Sequence, residues 1–412
     1  MGDAPNNQPE PAPGGLRPAM GSMSGAALEM PGELPPSKAL QWFLLGAFVI
    51  SGAAYVVNEW TELTSSDVQK HRETKIRRLV QNQSEFLSHT QGGDKAFTQK
   101  HYDQAVSEYR LALQGQNNAV GHELLAQALL KQGNHDPAFA QFHEALRLDP
   151  GLVTASSACA LALDAEGKPD EALKILQDGI KRHPEAGVLH YNLATTLLQL
   201  QTDAEGRRRL AAAADKTQEA DAAAGEVKSL AAQALSHFTK ASRNGINSPA
   251  FWRQYGQLLN QQGKYAEAET CLLRATSADA NMASAHFQLA LAEDHLGKYP
   301  GAIEHYEKVL SLTPDDPATL NNLALLYATA TNTDLRSPKM AAQLAARACD
   351  ATTNQNARYM DTLARCYAAD GDFFQAITWE DKAVHRATQL NDTDLARELQ
   401  TRYALFVDHK TD

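Results

Sequence analysis

Residues 249–282, PAFWRQYGQLLNQQGKYAEAETCLLRATSADANM, and residues 283–316, ASAHFQLALAEDHLGKYPGAIEHYEKVLSLTPDD, are two copies of one 34-residue unit standing back to back. Each divides at a Gly-Lys-Tyr turn, at Gly263 and at Gly297. Glycine takes the left-handed backbone that ends a helix, which is costly for any residue with a Cβ, so each unit reads as helix A, turn, helix B. Counted within the unit, position 8 is Gly256 or Ala290 and position 20 is Ala268 or Ala302. Small side chains there let the two helices cross closely, while larger apolar residues fill what remains.

Carried outward, the unit recurs eight times, starting at about Phe86, Ala119, Val153, Gly187, Pro249, Ala283, Pro317 and Ala357. Position 20 is alanine in every copy (Ala105, Ala138, Ala172, Ala234, Ala268, Ala302, Ala341, Ala376), and position 8 is Gly or Ala throughout, from Gly93 to Ala364. Proline closes helix B at Pro150, Pro184 and Pro314, where it cannot continue a helix. This pattern at this period resembles the tetratricopeptide repeat (TPR). The resemblance implies an all-α fold, a right-handed superhelical solenoid of about eight helix-turn-helix repeats over residues 86–390, with a capping helix in 391–412. In that last segment Leu395, Leu399, Tyr403 and Phe406 form one apolar stripe.

Ahead of the repeats, residues 1–38 hold 8 of the 17 prolines and 6 of the 25 glycines. With few aliphatics they cannot bury enough surface to offset ordering entropy, and a disordered tail is expected. Ala39–Val57 then runs 19 residues without a charge, about 28 Å as a helix, which matches the hydrocarbon thickness of a bilayer. A single transmembrane helix is expected, with Trp42, Tyr55 and Trp60 near its ends. Residues 58–85 read as a charged helical stalk. Lys70, Arg72, Lys75 and Arg77 argue by the positive-inside rule for repeats in the cytoplasm. Their distance from the span, behind Glu59 and Glu62, and the short inner tail of similar anchored proteins argue the reverse, and the balance falls on the extracytoplasmic side. Ala47, Ser51 and Ala54 form a small-residue stripe through which two spans could approach as a homodimer.

Two copies depart from the pattern. In the fourth, Gln201–Gln233 stands where five residues would suffice and is rich in helix formers, which lengthens that hairpin. In the seventh, Thr331–Met340 is likewise inserted, and the sequence around it resembles the C-terminal end of many bacterial TPR proteins, implying a bacterial source.

A formal net charge of −11 argues against generic binding to nucleic acid or anionic lipid and favours basic or neutral partners. Cys159, Cys271, Cys349 and Cys366 form no C-x-x-C pair and read as unpaired core thiols. His122-Glu123 begins like a zinc-protease helix, but Ala126 stands where the second ligand is required. No metal, cofactor or catalytic arrangement is expected, and the chain does not read as an enzyme. What remains is a row on helix A: position 6 carries Asn192, Gln254, Gln288 and Asn322 in four successive copies. A carboxamide both donates and accepts, so such a row can pair with the peptide groups of an extended chain whatever its side chains. Tyr191, Arg253, Phe287 and Asn321, one residue earlier, would add selectivity. The carboxylate clamp of chaperone-binding TPR domains is absent, with Ala250 and Gln254 where two bases belong. The function expected is a membrane-anchored scaffold holding a partner's extended or helical segment in the concave groove. The alternatives are a structural subunit of a larger envelope or secretion complex, or an accessory factor to a separately encoded enzyme.

Overall fold

The structure, a computed structural model, describes residues 66–214 and 216–411 of the 412-residue chain. The expected tail and transmembrane segment, residues 1–57, lie outside the described residues. Among the described residues no helix is long and apolar enough to cross a membrane.

The described chain is all helical. Helices α1 (Ser66–Thr98) and α2 (Tyr102–Gly115) form the first hairpin, followed by α3 (Ala119–Lys131) with α4 (His135–Leu148), and α5 (Val153–Ala165) with α6 (Pro169–Arg182). The fourth hairpin is α7 (Gly187–Ala213) with α8 (Thr217–Arg243). Then come α9 (Pro249–Gln261) with α10 (Tyr265–Ala278), α11 (Ala283–His295) with α12 (Tyr299–Leu312), α13 (Pro317–Thr329) with α14 (Pro338–Ala351), and α15 (Ala357–Ala369) with α16 (Phe373–Gln389). Helix α17 (Thr393–Val407) closes the stack.

From the second copy onward each A helix begins on the first residue of its unit, and local chemistry explains why. Ser248, Asp316 and Asn118 cap three of them by accepting backbone N–H groups from Phe251, Thr319 and Gly121. Pro249 and Pro317 occupy the first turn, where the missing N–H costs nothing. Between helices A and B, the residue at position 15 has positive φ in six copies, a glycine in five of them and Lys100 (φ 62°) in the first. The stalk does not end where the first repeat starts: α1 runs unbroken for 33 residues through Phe86, because Ser66–Ser88 contains neither glycine nor proline.

All eight position-20 alanines are fully buried. Position 24 of helix B, a large residue in most copies, lies over position 8 of helix A. A Cβ added to Gly93 would sit 2.4 Å from the Tyr109 ring, and one added to Gly256 would sit 2.5 Å from Leu272 Cγ. The apolar core is continuous from Ala126 to Ala292 through the middle repeats, and further clusters carry it to both ends. The four cysteines are buried within it and unpaired. Burial pushes the Cys159, Cys349 and Cys366 thiols up to about 12 and Cys271 up to about 11, which leaves them poor nucleophiles.

The fourth hairpin consists of two 27-residue helices instead of the usual 13 and 14. Its extra length packs on itself through small residues, Ala204, Ala211, Ala223 and Ala231, with an ion pair from Arg207 to Glu226 across the hairpin.

At the other end, position 24 of the last copy is Glu380, fully buried where its counterparts include Phe142, Phe238 and Tyr306. Burial, and then the Asp361 carboxylate beside it, hold Glu380 far above the usual carboxylate range, so it stays neutral at pH 7. Arg402 of α17 reaches back to bind Asp361 and donates to Glu398. The terminal helix is thus fastened by charge as well as by Leu395, Leu399 and Phe406.

Gly256→Ala drives a methyl into Leu272 and should destabilise the stack by about 1–3 kcal/mol. Chemical denaturation checks this. A double-mutant cycle with Leu272→Ala should show coupling between the two sites, and an unchanged midpoint for Gly256→Ala would show that the helices part without cost.

Candidate functional site

At 100° per residue, unit positions 2, 5, 6, 9, 12 and 13 fall within one arc of helix A, whose position-5 edge meets helix B. The expected row lies in this arc, but its members are not equivalent. Asn192 is 1% exposed and donates from Nδ2 to Ser157 Oγ at 2.7 Å, so its amide braces α7 on α5. Gln288 is half-buried and accepts from Asn260 Nδ2 at both its backbone oxygen (2.8 Å) and Oε1 (3.1 Å). Gln254 and Asn322 are half-buried as well; Gln254 Oε1 has no donor, and Asn322 Oδ1 accepts from Asn321 at 3.3 Å.

The preceding residues divide in the same way. Tyr191 is 7% exposed and packed against Phe238 and Phe251, with ring centroids 6.2 and 5.5 Å away. Burial raises its hydroxyl, opposed by the nearby Arg253. Arg253 is half-buried and donates to Gln257, Phe287 meets Tyr306 edge-on at 6.1 Å, and Asn321 Oδ1 is buried without a donor.

Sequence reasoning missed a second row at position 12: Asp164, Asn260 and Asp294. Asn260 Oδ1 and Asp164 Oδ1 are buried without donors. Asp164 Oδ2 accepts from Thr196 at 2.6 Å. Burial raises both Asp164 and Asp294. Farther along the same side Glu123, 6% exposed, is pushed up to about 7 by burial, against the pull of hydrogen bonds from Thr154 and Gln127. The face is therefore rich in acceptors, several of them incompletely bonded. The signal stands at a constant unit position, but it is interrupted in the fourth copy, where Leu198 takes the place, and by the change between acid and amide. Among the described residues no group of three or more side chains could hold a metal ion.

A third repeat-spaced feature links helix A to helix B. In the fourth copy the Nδ1 atoms of His190 and His237 lie 2.8 Å apart, and in the sixth those of His286 and His305 lie 3.2 Å apart. All four stand at unit positions 4 and 23. His190 Nε2 faces the Pro184 carbonyl at 2.8 Å and His286 Nε2 faces the Ala280 carbonyl at 3.2 Å. A carbonyl only accepts, so each A-helix histidine carries its proton on Nε2 and offers a bare Nδ1 to its partner. The B-helix histidine then donates from Nδ1. His237 is held down at about 4 by burial first, then by His190 and Lys240. His305 is lowered by burial and His286, against Glu304. In the second copy the same positions hold His122 and Gln141, Nδ1 to Oε1 at 2.6 Å.

Known proteins agree with the repeat reading. The tetratricopeptide repeat family model matches residues 91–153, 159–227 and 256–317, and a second model of the same description matches 129–186. The matched residues carry tetratricopeptide repeats. It is 32% identical over 111 residues to the small glutamine-rich tetratricopeptide repeat-containing protein 2 of Mycosarcoma maydis, covering 27% of this chain and 32% of that one. The chain thus spans about a third of the length of that curated relative. Similar solved structures include PilF of Pseudomonas aeruginosa, at 17% identity and TM-score 0.46 over 57% of this chain and 94% of that one. Another is YrrB, described as a TPR protein with an unusual peptide-binding site, at 20% identity and TM-score 0.40 over 52% and 96% of the two chains.

The histidine pairs predict a pH dependence. Their B-helix members have depressed folded-state values, so the stability they contribute is present above about pH 6.5, the ordinary histidine value, and is lost as pH falls toward 4. His237→Gln with His305→Gln copies the arrangement of the second repeat and keeps the bond without the titration. The wild-type melting temperature should drop more between pH 7 and pH 5 than that of the double variant. Equal drops would place the acid sensitivity elsewhere.

Proposed function

We propose that this tetratricopeptide-repeat chain is a membrane-anchored interaction scaffold whose A-helix face, over copies three to seven, grips an extended or helical segment of a partner protein. One observation carries the reading: Gln254, Gln288 and Asn322, at position 6 of three successive copies, all keep part of their surface exposed on that face. A carboxamide both donates and accepts, so three of them at repeat spacing can pair with the peptide groups of a bound segment. The net charge of −11 favours a partner with basic or neutral side chains. Residues 39–57 support the anchor by their length and lack of charge.

Within the row, Gln254, Gln288 and Asn322 act as the grip, while Asn192 acts as a brace between repeats. With a partner captured from membranes by the intact protein, Gln254→Ala, Gln288→Ala and Asn322→Ala together should weaken calorimetric affinity by about 1 kcal/mol per lost bond, with little change in melting temperature. Asn192→Ala should do the opposite, lowering stability by about 1–2 kcal/mol while sparing affinity. Unchanged affinity in the triple variant would remove the row from the binding surface.

A further inference from the structure

Before the first repeat, α1 leaves a line of large apolar side chains uncovered: Ile76 (46% exposed), Leu79 (47%) and Val80 (59%). At 100° per residue these fall within an arc of about 100°, one stripe of the helix. Lys75 borders that stripe on one side, Glu73, Arg77 and Lys70 border it on the other, Arg72 falls within the arc and Arg78 lies opposite; all but Arg72 are exposed. From Ser66 to Val80 the helix carries five bases, including Arg72, against only Asp67 and Glu73, in a chain that is acidic as a whole. A short apolar stripe with four bases around it and one acid on its border suits a helix lying in a membrane interface, with the stripe at the acyl boundary and the bases among anionic headgroups. A coiled coil with a second copy fits poorly. The heptad that puts Ile76 and Leu79 at core positions also puts Gln69, Arg72 and Gln83 there.

We infer that residues 70–80 of α1 form a docking surface for an anionic lipid bilayer. The inference goes beyond the anchor of the proposed function and does not require it, because the stripe and its bases are properties of α1 itself. If the anchor is real, it delivers this helix to the bilayer, since only 12 residues separate Val57 from Lys70.

The test uses full-length protein with vesicles of phosphatidylcholine alone and with vesicles containing about 30% phosphatidylserine, the charge that such a helix would read. Retention on the zwitterionic vesicles at high salt reports the anchor alone. The docking surface is read separately, as slowed amide exchange over residues 70–80. Exchange there should slow about fivefold or more on the anionic vesicles relative to the zwitterionic ones. High salt should erase the difference, as should the variant Lys70→Glu, Lys75→Glu, Arg77→Glu, Arg78→Glu, while exchange in the repeats stays unchanged. Equal exchange on both vesicle types would overturn the proposal. So would protection without lipid accompanied by a doubled mass in light scattering, which would assign the stripe to a second copy of the chain.

Discussion

The close approach of helix A to helix B at unit positions 8 and 20 is the constraint on which the rest of the stack depends. Eight alanines with no accessible surface define the contact. Their counterparts at position 8 include glycines that leave no room for one more carbon. With the backbones this near, position 24 must reach over position 8, and that in turn fixes which side of helix A is left for other uses. The acceptor-rich face is a consequence: apart from Tyr191 and Phe287, which meet helix B at its edge, its hydrogen bonds run to neighbouring A helices, as from Asn192 to Ser157 and from Asn260 to Gln288.

Helix boundaries were legible because the signals that end a helix are local. A glycine at position 15 and a Ser or Asp before a proline act through their own backbone, whatever surrounds them. The candidate site was only half legible, because a carboxamide's role depends on a neighbour some 30 residues away. Asn192 is drawn inward because Ser157 on the preceding A helix presents a hydroxyl at the right height. Gln254 meets no such group. The two looked alike in sequence. The histidine pairs were hidden differently: the partners stand 19 residues apart in the sixth copy but 47 apart in the fourth, since the long hairpin intervenes. Only after the insertion is closed up does the shared register show.

Electrostatics on the A-helix face are more subtle than the net charge suggests. Glu123 and Glu293 are both pushed up to about 7, chiefly by burial, so near neutral pH they are mixtures of acid and carboxylate. Glu293 lies 3.8 Å from His305 Nε2, the nitrogen left bare when Nδ1 donates to His286. At that distance the two groups feel each other's charge without a hydrogen bond, and Glu293 Oε2 has no hydrogen-bond partner.

Glu380 bears on how such a chain can change length over evolutionary time. An interior unit, such as residues 249–282, makes the same contacts with whichever neighbour precedes or follows it, so duplication or loss there leaves every interface with a familiar counterpart. The last unit has no such freedom. Its buried Glu380 and Asp361 are matched to Arg402, which lies in the terminal helix alone. A new repeat slipped between α16 and α17 would carry Arg402 away and leave the two carboxyl groups with only Arg365 of their own repeat beside Glu380. The stack can be lengthened from within, but its last repeat and terminal helix must be inherited as one piece.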